Sequence, residues 1–182
     1  MKTFQPCLSV LAVLLAGTLI GCAPTATKAA DVKDSIRASL DQAGFKNVSA
    51  SQDREKGVVT LRGHVAADAD KAQAESIAKS IAGPQVVANE IAVVPPGGES
   101  DARSMNADLD KGIESNLDAA LISENLHDNV KYAVKNHVVT LTGDVDSEAK
   151  RARAAQVASA VLNVQQVVNE MQVKGQKATS TR

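Results

Sequence analysis

The chain has 182 residues, a formal net charge of −1, no tryptophan and only 2% aromatic residues. A nucleic-acid binder is expected to carry a basic excess, so this charge balance argues against nucleic acid as a partner. The scarcity of aromatic side chains also leaves little to line a concave ligand pocket.

The first predicted element is an apolar segment that ends abruptly at a cysteine. Lys2 gives it a positive start, residues 8–20 are mainly apolar, and Gly21 is a small residue directly before Cys22. These are the parts of an export signal, and the stretch is shorter than the roughly 20 apolar residues that a spanning helix needs. The four residues from Leu19 to Cys22 resemble the lipobox of bacterial lipoproteins, in which a signal peptidase cleaves before a lipid-modified cysteine.

This resemblance implies that residues 1–21 are a lipoprotein signal and that Cys22 is the lipid attachment site. Covalent diacylglycerol and N-acyl lipid on that cysteine are the only prosthetic groups expected, and no other cofactor is predicted. Cleavage removes Cys7, so the mature chain keeps one cysteine and has no disulfide available. An ordinary secretory signal, cut near Ala23 or Ala26, is the alternative.

The residue that follows the cysteine carries a second implication of the resemblance. An aspartate just after the lipidated cysteine favours retention in the inner membrane, and Ala23 stands in that place. The resemblance therefore implies an anchor in the outer membrane, with the protein facing the periplasm. Residues 22–30 are predicted to be a tether between this anchor and the first domain.

An internal repeat organises the remainder of the chain. Residues 57–65 read GVVTLRGHV and residues 137–145 read HVVTLTGDV, at a constant offset of 80 residues. Two copies of one small domain explain this self-similarity. The chain therefore divides into a first domain, a breaker-rich linker, a second domain and a disordered polar tail, at residues 31–94, 95–107, 108–174 and 175–182 respectively.

Each copy is predicted to follow the order helix, strand, strand, helix, strand. Helical spacing of apolar residues in 32–40 is followed by two alternating runs, in 47–51 and 58–65, and then by a second helical stripe in 74–81. A closing strand in 86–94 completes the copy, and a helical crossover to it makes it parallel to a neighbour. The fold class is therefore α+β, with two tandem domains that each pack a three-stranded mixed sheet on two helices.

Three residues inside the predicted strands receive structural roles. Gly63 and Gly143 recur at equivalent positions of the two copies, although glycine weakens a strand unless a bulge or a close approach requires it. Both are therefore predicted to be structural, at a bulge or at a close approach of a helix. Tyr132 lies in an alternating strand of the second copy, where packing against the core or a neighbouring strand is the expected role.

The repeat pattern resembles a known domain family. The sequence G-V-V-T-L-x-G-x-V, a helix with Ala-x-x-Ile/Val-Ala and then Val-x-Asn-Glu are similar to the BON domain of osmotically inducible periplasmic proteins and outer-membrane lipoproteins. The resemblance covers nearly all of both copies. The two copies depart from it at Gly83-Pro84 and Asn163-Val164, where the family favours Gly-Val.

The resemblance implies a non-enzymatic envelope protein that binds phospholipid and supports outer-membrane integrity under envelope or osmotic stress. In related lipoproteins, the first helix of the second BON domain contacts lipid, helped by an aromatic residue. The corresponding segment here, 108–121, has no aromatic residue, four carboxylates and one cation, Lys111. Insertion through this helix is not favoured.

A second candidate for phospholipid contact lies at the start of the last helix, where Lys150, Arg151 and Arg153 are close in sequence. Recognition of anionic lipid usually involves clusters of about four to eight basic residues. A solvated helix surface, with ion pairs from Asp146 to Lys150 and from Glu148 to Arg151, is the favoured alternative.

No catalytic or metal-binding pattern is found in the sequence. The three histidines lack ligand spacing, and the repeat replaces His64 and His137 by other residues in the opposite copy. The chain is therefore predicted not to be an enzyme. The alternative function is a protein-interaction or chaperone-like module, with envelope proteins or peptidoglycan-associated proteins as partners.

Overall fold

The computed structural model describes residues 28–174, and these form two domains of the predicted α+β class. Domain 1 contains α1 (Lys33–Gln42), β1 (Val48–Asp53), β2 (Val58–Val65), α2 (Asp68–Ala82) and β3 (Val86–Val93). Domain 2 contains α3 (Glu99–Ser123), β4 (Lys131–Lys135), β5 (Val138–Thr142), β6 (Asp144–Val145), α4 (Glu148–Ser159), β7 (Gln166–Asn169) and β8 (Gln172–Val173). The predicted fold class and element order are confirmed.

Both sheets have the predicted mixed topology. In domain 1 the order is β1-β2-β3, with β1 antiparallel and β3 parallel to β2. In domain 2 the order is β4-β5-β7 with the same directions, and a short parallel β6-β8 pair follows. Helices α2 and α4 supply the crossovers that parallel neighbours require.

Each domain has its own apolar core between its sheet and its two helices. In domain 1, Ile36 and Leu40 of α1 are fully buried against Leu61 and Ile91 of the sheet. In domain 2, the core is built in the same way, from α3, the sheet and α4. Its large buried side chains are Ile113, Leu117, Leu121 and Leu141. The amphipathic spacing in the sequence therefore identified the buried faces of the helices.

The asparagine of the Val-x-Asn-Glu motif joins the closing strand to the crossover helix. The Asn89 amide donates to the carbonyl oxygen of Lys71 at 3.2 Å and its side-chain oxygen accepts from Ile91 N–H at 3.4 Å. Asn169 makes the equivalent bonds with Arg151 and Met171. In each domain this side-chain amide therefore links the closing strand to the first turn of the crossover helix.

The geometry gives a physical reason for the glycines at positions 63 and 143. Both have positive φ angles, 130° and 119°. A Cβ atom at Gly63 would overlap the carbonyl oxygen of Asn47, and one at Gly143 would overlap that of Asn129. In each domain, the loop before the first strand passes too close to the glycine for any side chain to fit.

Helix α3 begins inside the segment that was predicted to be a linker. Only residues 95–98 connect the domains, and the helix starts at Glu99 rather than near Asp108. Glu99 and Asp101 lie in its first turn, where carboxylates interact favourably with the helix dipole. The linker prediction was wrong over residues 99–107. This part of α3 is mainly exposed, so its composition is polar and lacks the apolar spacing that indicates a helix.

Among the described residues, none of the helices is long and apolar enough to cross a membrane. The predicted signal, Cys22 and the predicted tail at 175–182 lie outside the described residues.

Candidate functional site

The two domains pack through the outer faces of their sheets. Val58, Ala88, Val138 and Val168 form one buried cluster between them. Val138 and Val168 are the residues that the offset of 80 relates to Val58 and Ala88. Each domain therefore contributes the same patch, as in the isologous interface of a two-fold dimer.

Polar contacts on either side of this cluster are also related by the repeat. Lys56 Nζ lies 2.6 Å from Glu170 Oε2, and Asn136 Nδ2 donates to the carbonyl oxygen of Glu90 at 2.7 Å. Positions 56 and 136 are equivalent, as are 90 and 170. The hydrogen bond to Glu170 raises the pKa of Lys56 above its ordinary value.

One contact has no counterpart in the other domain. The Gln166 side chain accepts from Asn89 N–H at 2.9 Å and donates to the Val87 carbonyl at 2.7 Å. These two backbone groups lie on the free edge of β3, so one amide satisfies both and blocks further strand pairing there. The equivalent residue in domain 1 is Val86, which cannot form such bonds and is 46% exposed.

A buried carboxylate organises the neighbouring turn of domain 2. Asp110 of α3 accepts from Asn136 N–H at 2.8 Å and from His137 N–H at 2.9 Å. Nearby, Lys71 Nζ donates to Gln165 Oε1 at 3.0 Å across the interface, and burial lowers the pKa of Lys71. The contact between Lys71 and Gln165 holds the start of β7 beside the start of α2.

The order of the contacts fixes the direction of the strands. Gln166 meets the middle of β3, whereas Glu170 meets Lys56, which precedes the start of β2. Strand β7 therefore runs antiparallel to β3. The end of domain 2 where β5 and β7 finish lies beside the β1–β2 turn of domain 1.

The N-terminal segment is bound at this same end. Lys28 Nζ lies 3.3 Å from Glu55 Oε1, and Ala29 N–H donates to the Arg54 carbonyl at 2.9 Å. The Gln52 amide donates to the Ala30 carbonyl at 2.7 Å. Residues 28–30, predicted to belong to the tether, are therefore attached to domain 1, and a tether of 22–30 was too long. Residues 28–30 resemble a loose segment in composition. Their bonds to residues 52 and 54 leave no periodic pattern in the local sequence, so the sequence did not predict the attachment.

We call the region formed by residues 28–30, the turn 54–57, and residues 143–147 and 170–174 the tether end. Lys150 belongs with it, because its Nζ lies 2.8 Å from Asp146 Oδ2. Lys174 Nζ lies 3.5 Å from Asp146 Oδ1. The two cations hold the pKa of the Asp146 carboxyl below its ordinary value. Sequence reasoning missed Lys174 because it lies beside the polar tail, 24 residues from Lys150.

The other candidate cations are held in different ways. Arg151 is half-buried and lies 3.5 Å from Glu148, so the predicted pairs of Lys150 and Arg151 with their helix neighbours are confirmed. Arg153 makes two bonds to Glu124, at 2.9 and 2.7 Å, and lowers the pKa of that carboxyl. Lys111 lies on α3, away from the other three, and is 3.8 Å from Asp108.

The remaining sequence candidates have structural positions. The Tyr132 hydroxyl donates to Asp118 at 2.9 Å and the ring packs against the core of domain 2. Burial is the largest cause that raises its pKa, and the Asp118 hydrogen bond adds to it. In residues 28–174, no cluster of histidine, cysteine and carboxylate side chains has metal-site geometry.

Comparison with known proteins agrees with the duplicated geometry. The family model described as the BON domain matches residues 24–95 and 109–175. The chain belongs to the BON-domain family. Osmotically-inducible protein Y of Escherichia coli (strain K12) is 30% identical over 142 residues, which cover 76% of this chain and 69% of that protein.

Two solved structures of CdsD, a structural protein of the type III secretion system of Chlamydia trachomatis, were also matched. For its C-terminal domain, the match has 14% identity and a TM-score of 0.32, and covers 78% of this BON-domain chain but 65% of the CdsD chain. The second match has 14% identity and a TM-score of 0.34, and it covers 77% of this chain and 90% of the CdsD chain. These scores are too low to support a structural argument.

Proposed function

We propose that this BON-domain protein is anchored in the outer membrane through lipid on Cys22, faces the periplasm, and binds phospholipid through the tether end. In this role it supports outer-membrane integrity under envelope or osmotic stress and catalyses no reaction. The relationship to an osmotically inducible protein supports the stress setting. The placement of basic residues beside the attached N-terminal segment supports the lipid contact.

This placement is the observation that carries the proposal. Six residue steps separate Cys22 from Lys28, so even a fully extended chain reaches only about 20 Å. Lys28 is bound to the β1–β2 turn, and Lys56 in that turn is bound to Glu170 of domain 2. An anchor at Cys22 therefore brings the basic residues of domain 2 to the membrane surface.

The chemistry of the tether end suits a phosphate headgroup. Lys150 and Lys174 share the single carboxylate of Asp146, and both side chains are about half exposed. A headgroup phosphate can replace one of these exposed and individually weak ion pairs at small cost. Each basic residue near an anionic membrane contributes about 1 kcal/mol, so this contact supplements the covalent anchor.

An apolar side chain lies at the same end of domain 2. Ile122, in the last turn of α3, is 55% exposed. The following loop leads to Lys131, which pairs with Thr142 at the end of β5. We expect Ile122 to contact the interfacial region of the bilayer, a role that an aromatic residue fills in the resembling lipoproteins.

Vesicle binding by the full mature chain with Cys22→Ser tests the contact without the anchor. We expect this chain to sediment with vesicles containing phosphatidylglycerol and much less with pure phosphatidylcholine. Combining Lys150→Glu with Lys174→Glu should weaken the affinity for the vesicles by about thirtyfold or more, since losing two contacts of about 1 kcal/mol each already has that effect.

The matched control reverses two cations on the first half of α3, Arg103 and Lys111. This double charge reversal has the same net charge change but lies outside the tether end, so it should leave vesicle binding near the level of the unmodified domains. Equal losses in both double variants would show that overall charge, rather than the tether end, determines binding. Retention of the Cys22→Ser chain in the outer-membrane fraction of cells would contradict the anchor.

A further inference from the structure

Exposed apolar side chains are distributed unequally between the two domains. Of the five large apolar side chains that are exposed in residues 28–174, none lies on helix α1 or α2. Four lie on the helices of domain 2 or just after them: Ile122, described above, and Met105, Leu109 and Leu162, which are 65%, 38% and 76% exposed. Because the domains share a fold, this difference points to a function specific to domain 2.

These residues lie along one continuous surface. Met105, Leu109, Gly112, Asn116 and Ala120 follow the i, i+4, i+7, i+11 and i+15 spacing of one helix face. Asn116 and Ala120 line a groove of about 470 Å³ between α3 and α4, which ends at Leu162. Gly112 leaves open space between the groove and Leu109, since no atom lies within 4 Å of its Cβ position.

We call this surface the α3–α4 face. It extends from Met105 to Ser123, which corresponds to a length of about 27 Å along the helix. An amphipathic helix of about five turns has this length and presents its apolar residues in the same spacing. The floor of the groove is apolar where Val157 and Val161 contribute to it.

The charges around this face select the kind of partner. Helix α3 carries six carboxylates and two cations over residues 99–123. Asp101 and Asp108 flank Met105 and Leu109, and Arg153 at the other end is already bonded to Glu124. Such a field attracts a cationic segment and repels anionic lipid. We infer that the α3–α4 face binds a basic amphipathic helix of a partner protein.

The orientation of the protein leaves this face accessible. Asp110 of α3 lies beside the Asn136-His137 turn, at the end of domain 2 opposite the tether end, and the helix extends beyond this point toward Met105 and Glu99. Under the proposed function, Met105 and Leu109 therefore lie on the side away from the anchoring membrane. Only this statement depends on the proposed function, because the shape and charge of the face do not.

A pair of synthetic peptides tests the inference on the full chain with Cys22→Ser. The probe is an 18-residue helix of leucine and lysine with all leucines on one side, and its control has the same composition in scrambled order. We expect the amphipathic peptide to bind about tenfold more tightly or better by fluorescence anisotropy. Met105→Ser with Leu109→Ser should remove that difference, because both side chains are contact residues.

Amide NMR shifts on the labelled chain provide a second readout. Shifts concentrated in residues 105–123 and 156–162 would support the proposed face. Equal binding of the two peptides, shifts elsewhere, or no effect of the double serine variant would overturn the inference. Loss of phosphatidylglycerol vesicle binding in that variant would assign the face to lipid and also overturn it. The vesicle test of Lys150 and Lys174 is separate, so either proposal can fail alone.

Discussion

The two domains solve the same folding problem with different residues at three kinds of position. Where the chain turns with positive φ after the crossover helix, domain 1 has Gly83 at 62° and domain 2 has Asn163 at 68°. Before that helix, Ala67 provides no side-chain cap, whereas Ser147 accepts from Lys150 N–H at 3.3 Å. At the interface, Gln166 stands where domain 1 has Val86.

This comparison shows which parts of the duplicated fold are constrained by backbone geometry and which are free to diverge. The glycines at 63 and 143 are identical because the chain leaves no room for a Cβ atom. Caps and interface contacts differ because each contributes about 1 kcal/mol and can be replaced by other interactions. Exchanging residues between equivalent positions therefore tests the comparison directly.

The largest effect is expected at the glycine in β2. Gly63→Ala should destabilise domain 1 by about 3 kcal/mol or more, because the new methyl group overlaps the Asn47 carbonyl at a positive φ. Chemical denaturation of the soluble chain measures the change. Gly143→Ala should destabilise domain 2 by a smaller amount, since its overlap with Asn129 is less severe. Normal stability of Gly63→Ala would contradict the close approach.

The next largest effect concerns the contact that only domain 2 makes. Gln166→Ala leaves the Asn89 N–H and the Val87 carbonyl without their partner, so the chain should lose about 1 to 3 kcal/mol of unfolding free energy. The reciprocal change, Val86→Gln, places an amide opposite the corresponding edge of β7 and should add about 1 kcal/mol. A loss of stability in Val86→Gln would show that the edge of β7 does not accept the equivalent contact.

Helix capping gives a smaller and reversible difference. Ser147→Ala should destabilise α4 by about 1 kcal/mol, and Ala67→Ser should stabilise α2 by a similar amount, because both residues have the extended backbone of an N-cap. Amide hydrogen exchange in the first turn of each helix reports the two effects separately. Faster exchange in α2 of the Ala67→Ser variant would show that the serine does not cap.

The smallest effect depends on pH. The pKa of Lys56 is raised in the folded protein, so the contribution of its pair with Glu170 is fully present below the ordinary lysine pKa of 10.5 and is lost as pH rises through the folded value. The pair is partly exposed, so this contribution is about 0.5 kcal/mol. Lys56→Asn introduces the neutral residue found at the equivalent position 136, so this variant should not show the loss of stability at alkaline pH. Denaturation midpoints at about pH 9 and about pH 11 provide the comparison.

Local sequence patterns predicted much of the architecture. Apolar spacing located the buried faces of α1 and α3, alternation located β2 and β5, and the repeat established that the chain contains two domains. The same patterns misjudged the start of α3 and the extent of the tether. Residues 99–107 are polar, and residues 28–30 are held by bonds to a turn more than 20 residues later.

The candidate site was less accessible to sequence reasoning. Lys150 was identified from its neighbours, but its association with Lys174 and with the attached N-terminal segment depends on strand direction and domain packing. Lys111, chosen as the only cation of its helix segment, lies apart from that group. A list of cations in sequence does not specify which end of a folded domain each one occupies.

By itself, the sequence determined the α+β class, the duplication, the structural role of the two glycines and the resemblance to a lipoprotein leader, because each of these is encoded in local sequence patterns or in their repetition. Only the tertiary structure decided how the domains face each other. That arrangement depends on four small apolar side chains from four strands and on one glutamine amide at a strand edge. Residues that are 30 to 110 positions apart meet there, and no local periodicity records such a contact.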